Sequence, residues 1–394
     1  MNNALFILSG NLSTTPRATK TIIFAKNFFD ITTIYINRSS VWLNLDKQFA
    51  KSLNINYKYT DLQNKKSFNW IIKSIIYKII NFLAKLFPKN LFLLGLCSSK
   101  AGFFIYFNNL KIKQKYQIII AHSFGSLFAA YKLSQRHKTP FVFDVEDYHP
   151  GENCSPSEQK RREILMKKIL PYAHYITYAS PLIGEYTHKL IPNFPKNKMI
   201  LINNCFSKND FKLIENLSEK VQFVWFSQNI AQGRGLEYII PILKNFQNKI
   251  HLNIIGNLYD DFYNNFLQKY ISFITILPPL PPKQLNLQIC NYDIGLAIEP
   301  GKDLNNKIAL SNKIWAYLQA GLYIVATNTP AQTLFAKEHK LCTEIIDFNQ
   351  NQTMHKIEII INNINNIRQQ KPFRYKYAQQ FCWENESQKL NSIL

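Results

Sequence analysis

The chain is poor in acid. It holds 25 Asp and Glu against 47 Lys and Arg, for a net charge of +22 at pH 7. Glycine is scarce as well, at 12, and proline is ordinary at 17, so collagen-like and linker-like chains are excluded. The six cysteines, Cys97, Cys154, Cys205, Cys290, Cys342 and Cys382, form no C-x-x-C, and no histidine cluster completes a zinc pattern. Reduced, buried thiols in a cytosolic protein are the expectation. The apolar run Ala4 to Leu8 is too short for a secretory signal and lacks a basic flank. No stretch reaches the roughly 18 apolar residues of a membrane span. The best, Ile71 to Leu96, is broken by Lys73, Lys78, Lys85, Pro88 and Lys89. G-x-G-x-x-G, P-loop, G-x-S-x-G and H-E-x-x-H patterns are all missing. Standard dinucleotide enzymes, Walker ATPases, nucleophilic hydrolases and zinc proteases therefore have no support.

What is present is an apolar, basic, two-domain chain. Hydrophobic residues make up 46% and charged ones 18% of 394 residues, which excludes disorder as a whole-chain state. At roughly 150 residues per domain, two domains are expected. The basic surplus seeks phosphate in a nucleic acid, an anionic lipid or a small molecule, although part of it is the composition of an Asn-, Lys- and Ile-rich chain.

Short β-branched runs alternate with helical spacing. Ala4–Leu8, Ile31–Ile36, Tyr116–Ile120, Pro140–Asp144, Tyr175–Thr177 and Met199–Ile202 read as strands of one half. Gln222–Phe226, Leu252–Gly256, Ile274–Leu277, Asp293–Ile298 and Leu322–Ala326 read as strands of a second half. Continuous apolar strands joined by helices predict parallel sheets covered on both faces. The fold expected is α/β, with two Rossmann-like doubly wound domains facing across a cleft and the boundary in the polar stretch Asn203 to Lys220.

The segment 63–115 breaks the rhythm. It carries ten lysines, among them Lys65, Lys66, Lys73, Lys78, Lys85, Lys89 and Lys111, and no acid. At ~100° per residue, Ile72, Ile75, Ile79, Leu83 and Leu86 share one arc, with Lys66 and Lys73 beyond one edge and Lys78, Lys85 and Lys89 at the other. A helix lying in an anionic membrane interface has this pattern. A helix packed on the sheet with solvated edge lysines has it too.

Four places can carry chemistry. The loop Gly10 to Arg17, with Ser13 and Thr14, follows a strand and opens a helix, so its amides can face an anion. His122 stands just past a strand and can bond a sugar or move a proton. Asp144, Glu146 and Asp147 belong to a run, Asp144 to Glu152, unusually rich in carboxylates for this chain. They can bind sugar hydroxyls, act as a base or hold a metal. Ser311, Asn312 and Lys313 open a helix ended by Gly321, where amides and dipole favour phosphate. Upstream, Gln228 to Gly235 follows a strand, with Arg234 available for a second phosphate contact.

At these residues the chain resembles the GT-B glycosyltransferases, and among them family 4, the group 1 type. Phe223 to Gln228 and Arg234-Gly235-Leu236-Glu237 resemble the opening of that family's nucleotide domain, and Leu252 to Gly256 its next strand. Asp293 to Ala297, Ser311 to Gly321 and Ile324 to Thr327 are similar to its donor-binding region. His122 and Phe143 to His149 resemble catalytic-face elements of the first domain, and Phe381 to Trp383 the helix that crosses back.

The resemblance implies sugar transfer from a nucleotide donor, usually with retention and without an obligatory metal or other cofactor. Its implied divisions are an acceptor domain 1–205, a nucleotide-sugar domain 221–374 and a returning helix 375–394. Donor contacts would come from Gln228, Arg234, Gly235, Gly256, Glu299, Ser311, Asn312 and Lys313. Catalytic contacts would come from His122, Asp144, Glu146 and Asp147, and acceptor contacts from Gly10, Ser13, Thr14 and Arg17. The chain departs from the family at Gln228, which replaces a cation, and at Ile308 and Ala316, which replace the E-x7-E pair; Glu299 is near but out of register. The expected protein is a cytoplasmic, membrane-peripheral enzyme of bacterial capsule or lipopolysaccharide synthesis, with a glycan or lipid-linked acceptor and no nucleic-acid partner. The departures motivate an alternative, a degenerate scaffold for an active transferase.

Overall fold

The computed structural model describes residues 2–63, 67–109 and 112–394. Lys65, Lys66 and Lys111 of the basic segment lie outside the described residues. The chain divides into two compact units, Met1–Asn203 with Ser387–Leu394, and Asn204–Glu386.

The N-terminal unit is built on a parallel sheet of β1 (Asn3–Leu8), β2 (Asp30–Asn37), β3 (Asn56–Asp61), β4 (Ile118–His122), β5 (Phe141–Val145), β6 (Tyr175–Tyr178) and β7 (Met199–Leu201). Their order is β3-β2-β1-β4-β5-β6-β7. The order reverses between β1 and β4, the switch point at which ligands bind in such sheets. The central strands are buried along their whole length, as their unbroken apolar runs require. The edge strand β3 buries only Thr60, so it has no apolar run and no signature in the sequence.

Among the described residues eight helices belong to this unit: α1 (Pro16–Ala25), α2 (Ser40–Ser52), α3 (Phe68–Leu86), α4 (Leu91–Leu96), α5 (Lys100–Asn109), α6 (Phe124–His137), α7 (Pro156–Ile169) and α8 (Pro181–Leu190). Ser67 caps α3 by accepting from Trp70 N. Ser155 caps α7 by accepting from Glu158 N, with Pro156 at the first helical position and Lys167 and Lys168 in the last turn. Each of these choices satisfies an orphan terminal group or complements the helix dipole.

The basic segment divides into two kinds of surface. In α4 and α5, Leu94, Leu96, Phe103, Phe104 and Ile105 are buried. Two glycines permit this packing. A Cβ on Gly95 would stand 2.1 Å from the Phe128 ring, and one on Gly102 would stand 2.4 Å from Gly125 O, both partners lying in α6. The expectation that all of 63–115 faces a membrane is therefore corrected for α4 and α5.

In α3 the apolar face points outward. Phe68 is 79% exposed, Ile75 53%, Ile79 52% and Phe82 61%. The inward face is the more polar one. Lys73 bonds Asn108 and lies 5.9 Å over the Phe104 ring, Tyr77 meets Phe103 edge-on, and Asn81 accepts from Arg161. Lys73, expected at the outer margin, is thus turned inward, while Lys78, Lys85 and Lys89 are exposed.

The C-terminal unit repeats the plan with β8 (Val221–Ile230), β9 (Ile250–Leu258), β10 (Ile274–Leu277), β11 (Ile294–Ala297), β12 (Tyr323–Thr327) and β13 (Thr343–Ile346). All pair in parallel, in the order β10-β9-β8-β11-β12-β13. Phe223, Trp225, Leu252, Ile254, Ile294 and Leu296 form its core with α9 (Leu236–Leu243). Burying each such side chain contributes about 1.5–3 kcal/mol. Helices α10 (Asp260–Asn265), α11 (Pro282–Ile289), α12 (Leu304–Ile308) and α13 (Asn312–Gln319) follow.

Both domain bounds shift from expectation. The unit begins at Asn204 and runs to Glu386, so only Ser387–Leu394 returns to the N-terminal unit. Residues past 364 are held by charge. Arg368 pairs with Asp293, Lys371 Nζ donates to Cys290 O and Tyr292 O, and Arg374 Nε donates to Gly321 O. Among the described residues no helix is long and apolar enough to cross a membrane. All six cysteines are free thiols and five are buried.

Candidate functional site

In the N-terminal unit the sheet register sets three polar residues in one row at the carboxyl end. His122 pairs with Asp144 across β4 and β5, and Asp144 with Thr177 across β5 and β6. Their side chains meet. His122 Nδ1 lies 3.1 Å from Asp144 Oδ2, and Thr177 Oγ1 donates to Asp144 Oδ1 at 2.5 Å. Arg17 reaches the same carboxylate from α1, Nε to Oδ2 at 2.6 Å and Nη2 to Oδ1 at 2.9 Å, and donates from Nη1 to Ile202 O. Burial pushes the Asp144 carboxyl up, but the Arg17 charge and the His122 hydrogen bond outweigh it and hold it below the usual carboxylate range.

This network is buried, and among the described residues His122 Nε2 has no hydrogen-bond partner. Arg17 is 3% exposed, Asp144 2% and His122 2%. Leu390, Ile393 and Leu394 line the same small cavity. His122, Asp144 and Arg17, expected at a substrate surface, form an internal brace instead. The loop before α1 is also committed internally. Ser13 donates its amide at 2.7 Å and its hydroxyl at 2.6 Å to Asp46 Oδ1, and Asn11 donates to Asp46 Oδ2. The Asp46 carboxylate of α2 occupies the place of an external anion. Thr14 returns its hydroxyl to Asn11 O, and Gly10 stays half-buried.

Glu146 and Asp147 remain partly accessible beyond β5. Glu146 has its pKa raised to about 7, by burial first and then by the charges of Asp147 and Asp144. A carboxyl that keeps its proton near neutral pH can both donate to and accept from a sugar hydroxyl. The loop that follows is braced. His149 Nδ1 lies 2.7 Å from Glu152 Oε1, and Arg162 donates to His149 O and to Glu152.

In the C-terminal unit, polar groups gather at the carboxyl ends of β8, β11 and β12. Lys313, in the first turn of α13, donates to Glu299 Oε1 at 3.0 Å and lies 5.6 Å over the Trp225 ring. Asn306 also donates to Glu299, and the Glu299 backbone exchanges hydrogen bonds with Thr327 Oγ1 at 2.9 Å. Burial opposes ionisation of Glu299, yet Lys313 holds its carboxyl below the ordinary value. Ser311 occupies the N-cap position without a side-chain cap bond, and Asn312 is exposed.

The turn before α9 depends on glycine. Gly233 has φ +76 and Gly235 φ +92, and a Cβ on Gly235 would stand 2.5 Å from Ile298 Cγ2. Glu237 accepts from both glycine amides, so those donors are already used. Arg234 projects exposed from this turn. Gln228 lies within β8, inside the register shift between Phe226 and Asn229, instead of in a loop; its carbonyl accepts from Asn257. Gly256 has a structural part: a Cβ there would stand 2.2 Å from Ser227 O.

Lys302 is a cation the sequence reading missed. Its Nζ stands 2.8 Å from where a Gly233 Cβ would be. The signal was its place three residues after Glu299, in a turn with Gly301 at φ +64. Glu237 and Thr327, quoted in the family-like motifs but given no role of their own there, act through the backbone bonds above. Among the described residues no group of three or more His, Cys, Asp or Glu could hold a metal ion.

No protein-family model matches the chain, and no curated protein sequence matches it either. Solved structures are similar in fold. HepE of Anabaena, in complex with UDP, is 14% identical with a TM-score of 0.68, and the match covers 99% of each chain. Sucrose-phosphate synthase of Thermosynechococcus elongatus is 11% identical with a TM-score of 0.65, over 100% of this chain and 98% of that one. A UDP-N-acetylglucosamine 2-epimerase is 10% identical with a TM-score of 0.61, over 100% and 96%. The chain has the two-sheet architecture of the GT-B fold, as expected from the sequence.

Proposed function

We propose that the chain is a glycosyltransferase that moves a sugar from a nucleotide-diphosphate donor to a glycan or lipid-linked acceptor. The observation that carries this reading is the set of cations Arg234, Lys302 and Lys313 around the strand ends of the C-terminal unit. A departing diphosphate gathers negative charge in the transition state, and fixed cations aimed at it lower the barrier. Lys313 adds to the dipole of α13, and Glu299 keeps its ammonium in place. The reading uses side-chain cations and no metal or cofactor. Glu146 and Asp147, partly accessible beyond β5, would orient acceptor hydroxyls in the N-terminal unit.

On the same reading the product is a bacterial surface polysaccharide, capsule or lipopolysaccharide, made with retention as the family 4 resemblance implies. The protein works at the inner, anionic face of a membrane. In support, α3 turns its apolar face outward with Lys78, Lys85 and Lys89 exposed. Inserted apolar groups contribute about 0.8 kcal/mol per buried CH2, and each lysine near an anionic surface about 1 kcal/mol. A second reading, a scaffold without activity, is favoured by Ile308 and Ala316, both buried and apolar where the family carries carboxylates.

The test is thermal stabilisation by UDP, GDP, ADP, CMP and their sugar conjugates, followed by product analysis with the conjugate that binds. A ligand at 100 times its Kd adds about 2.7 kcal/mol. Binding with transfer or donor hydrolysis supports the enzyme. Binding without turnover supports the scaffold. Epimerised nucleotide sugar as product, or no binding to any nucleotide, overturns the reading.

A further inference from the structure

Two adjacent arginines of α7 hold two different parts of the N-terminal unit. Arg161 points one way. Its Nη1 donates to Asn81 Oδ1 of α3 at 3.2 Å and approaches Cys97 Sγ, at the end of α4, at 3.2 Å. Arg162 points the other way. It donates to His149 O at 3.0 Å and to Glu152, and its guanidinium lies 5.9 Å over Phe124, whose ring also meets His149. Glu158, one turn earlier, joins them, with Oε2 accepting from Arg161 Nη2 and Oε1 from Arg162 Nε at 3.1 Å. One carboxylate thus bridges the arginine that holds the outward-facing helix and the arginine that holds the loop after β5. That loop carries Glu146 and Asp147.

The bridge is half-sheltered from solvent. All its charged members are partly withdrawn from water, between 18% and 32% exposed for Glu158, Arg161, Arg162 and Glu152. Charge-assisted bonds in such surroundings are stronger than exposed surface pairs. Removing one partner strands the next charge, so the members move together. The packing agrees, since α7 touches both α4 and the turn at His149–Gly151.

We infer that seating α3 on an anionic bilayer positions the loop 146–152 through Asn81, Arg161, Glu158 and Arg162. Arg161 and Arg162 are positioning residues, acting on the acceptor carboxyls through Glu152 and His149. This rests on the membrane reading above. Bilayer contact quiets the exposed helix, and the relay passes that restraint to the loop. The acceptor side is then ordered only where a lipid-linked acceptor is found.

Amide hydrogen exchange on the full chain tests this, with and without vesicles of phosphatidylglycerol in phosphatidylcholine. In the wild type the vesicles should slow exchange over 68–87 and, by roughly threefold, over 146–152. Asn81→Ala cuts the relay at its half-buried helix end and leaves the ion pairs whole. It should keep the slowing over 68–87 and lose the response at 146–152. Arg161→Met should do the same. Slowing of 68–87 in the wild type with no change at 146–152 overturns the coupling alone. So does a loop response retained in both variants. No vesicle effect on 68–87 overturns the membrane reading and the coupling with it. A relay that merely staples the fold would shift the baseline exchange of the loop and leave its vesicle dependence intact.

Discussion

Arg17 and Asp144, 127 residues apart in the chain, meet in a two-bond ion pair, Nε to Oδ2 at 2.6 Å and Nη2 to Oδ1 at 2.9 Å. The pair lies under the C-terminal residues Leu390, Ile393 and Leu394. A buried pair of this kind matters most when half of it is removed.

Arg17→Met should therefore cost about 3–5 kcal/mol of stability, because Asp144 is left buried and uncompensated. Urea unfolding reads this directly, and Arg17→Met with Asp144→Asn should recover part of the loss. Asp144 is held below its ordinary value of 3.8. Its contribution is thus present at neutral pH and is lost as pH falls below about 4. A loss under 1 kcal/mol for Arg17→Met would mean the network is not a brace.

Glu146 titrates the other way. Its folded value, about 7, lies above the ordinary 4.5, so its proton stabilises the fold at low pH and that contribution is lost as pH rises through 7. Glu146→Gln should match the wild type near pH 4.5 and exceed it by about 1–3 kcal/mol at pH 8. Melting curves across pH 4.5–8 check the sign. A gap that does not widen with pH would remove the raised proton affinity.

Ser123 has φ 68 and ψ 146, a region nearly reserved for glycine, at the turn between His122 and α6. Such a residue costs of order 1–3 kcal/mol. Ser123→Gly should stabilise the protein by about 1 kcal/mol, after the entropy that glycine loses on folding. Destabilisation would show that neighbouring packing, and not the backbone, governs the site.

Arg234→Ala and Lys302→Ala should each weaken binding of the stabilising nucleotide by about 1–3 kcal/mol, as loss of a charge-assisted contact does. Lys313→Ala should do the same and also strand Glu299. Lys313→Ala with Glu299→Gln then separates the lost phosphate contact from the stranded carboxylate. Isothermal titration reads all of them. Unchanged affinity throughout would dismiss the phosphate site.

Replacing Lys78, Lys85 and Lys89 with Glu should release the protein from anionic vesicles while leaving its melting temperature near that of the wild type, since all three are exposed. Wild-type binding should weaken as salt is raised. Retained sedimentation with vesicles would mean that the outward face of α3 serves another partner.

Much of the architecture was legible because buried parallel strands must be continuously apolar. β1, β4, β5, β9 and β11 announce themselves in that way, and Gly321 with φ +72 ends α13 where its helical spacing stops. β3 was not legible, for a strand that buries one residue carries no hydrophobic period. Nor was the reach of the C-terminal unit to Glu386, which depends on Lys371 and Arg374 finding backbone carbonyls far away in sequence. Lys302 was hidden because its place near Glu299 and Gly301 is a weak signal by itself; its approach to Gly233 is made by a turn 69 residues upstream.

By itself the sequence determined the two doubly wound sheets, the strand ends at which chemistry can sit and the amphipathic period of α3, since each is a local pattern repeated along the chain. It left the orientation of polar groups open. His122, Asp144 and Arg17 stand at strand and helix ends as a binding site would, yet the tertiary structure closes them on one another. Glu146, Arg234, Lys302 and Asn312 keep a face to solvent. α3 shows its oily side outward, although the same period suits a packed helix. Periodicity defines the faces of an element; only packing against distant segments decides which face is covered and which charge has already met its partner.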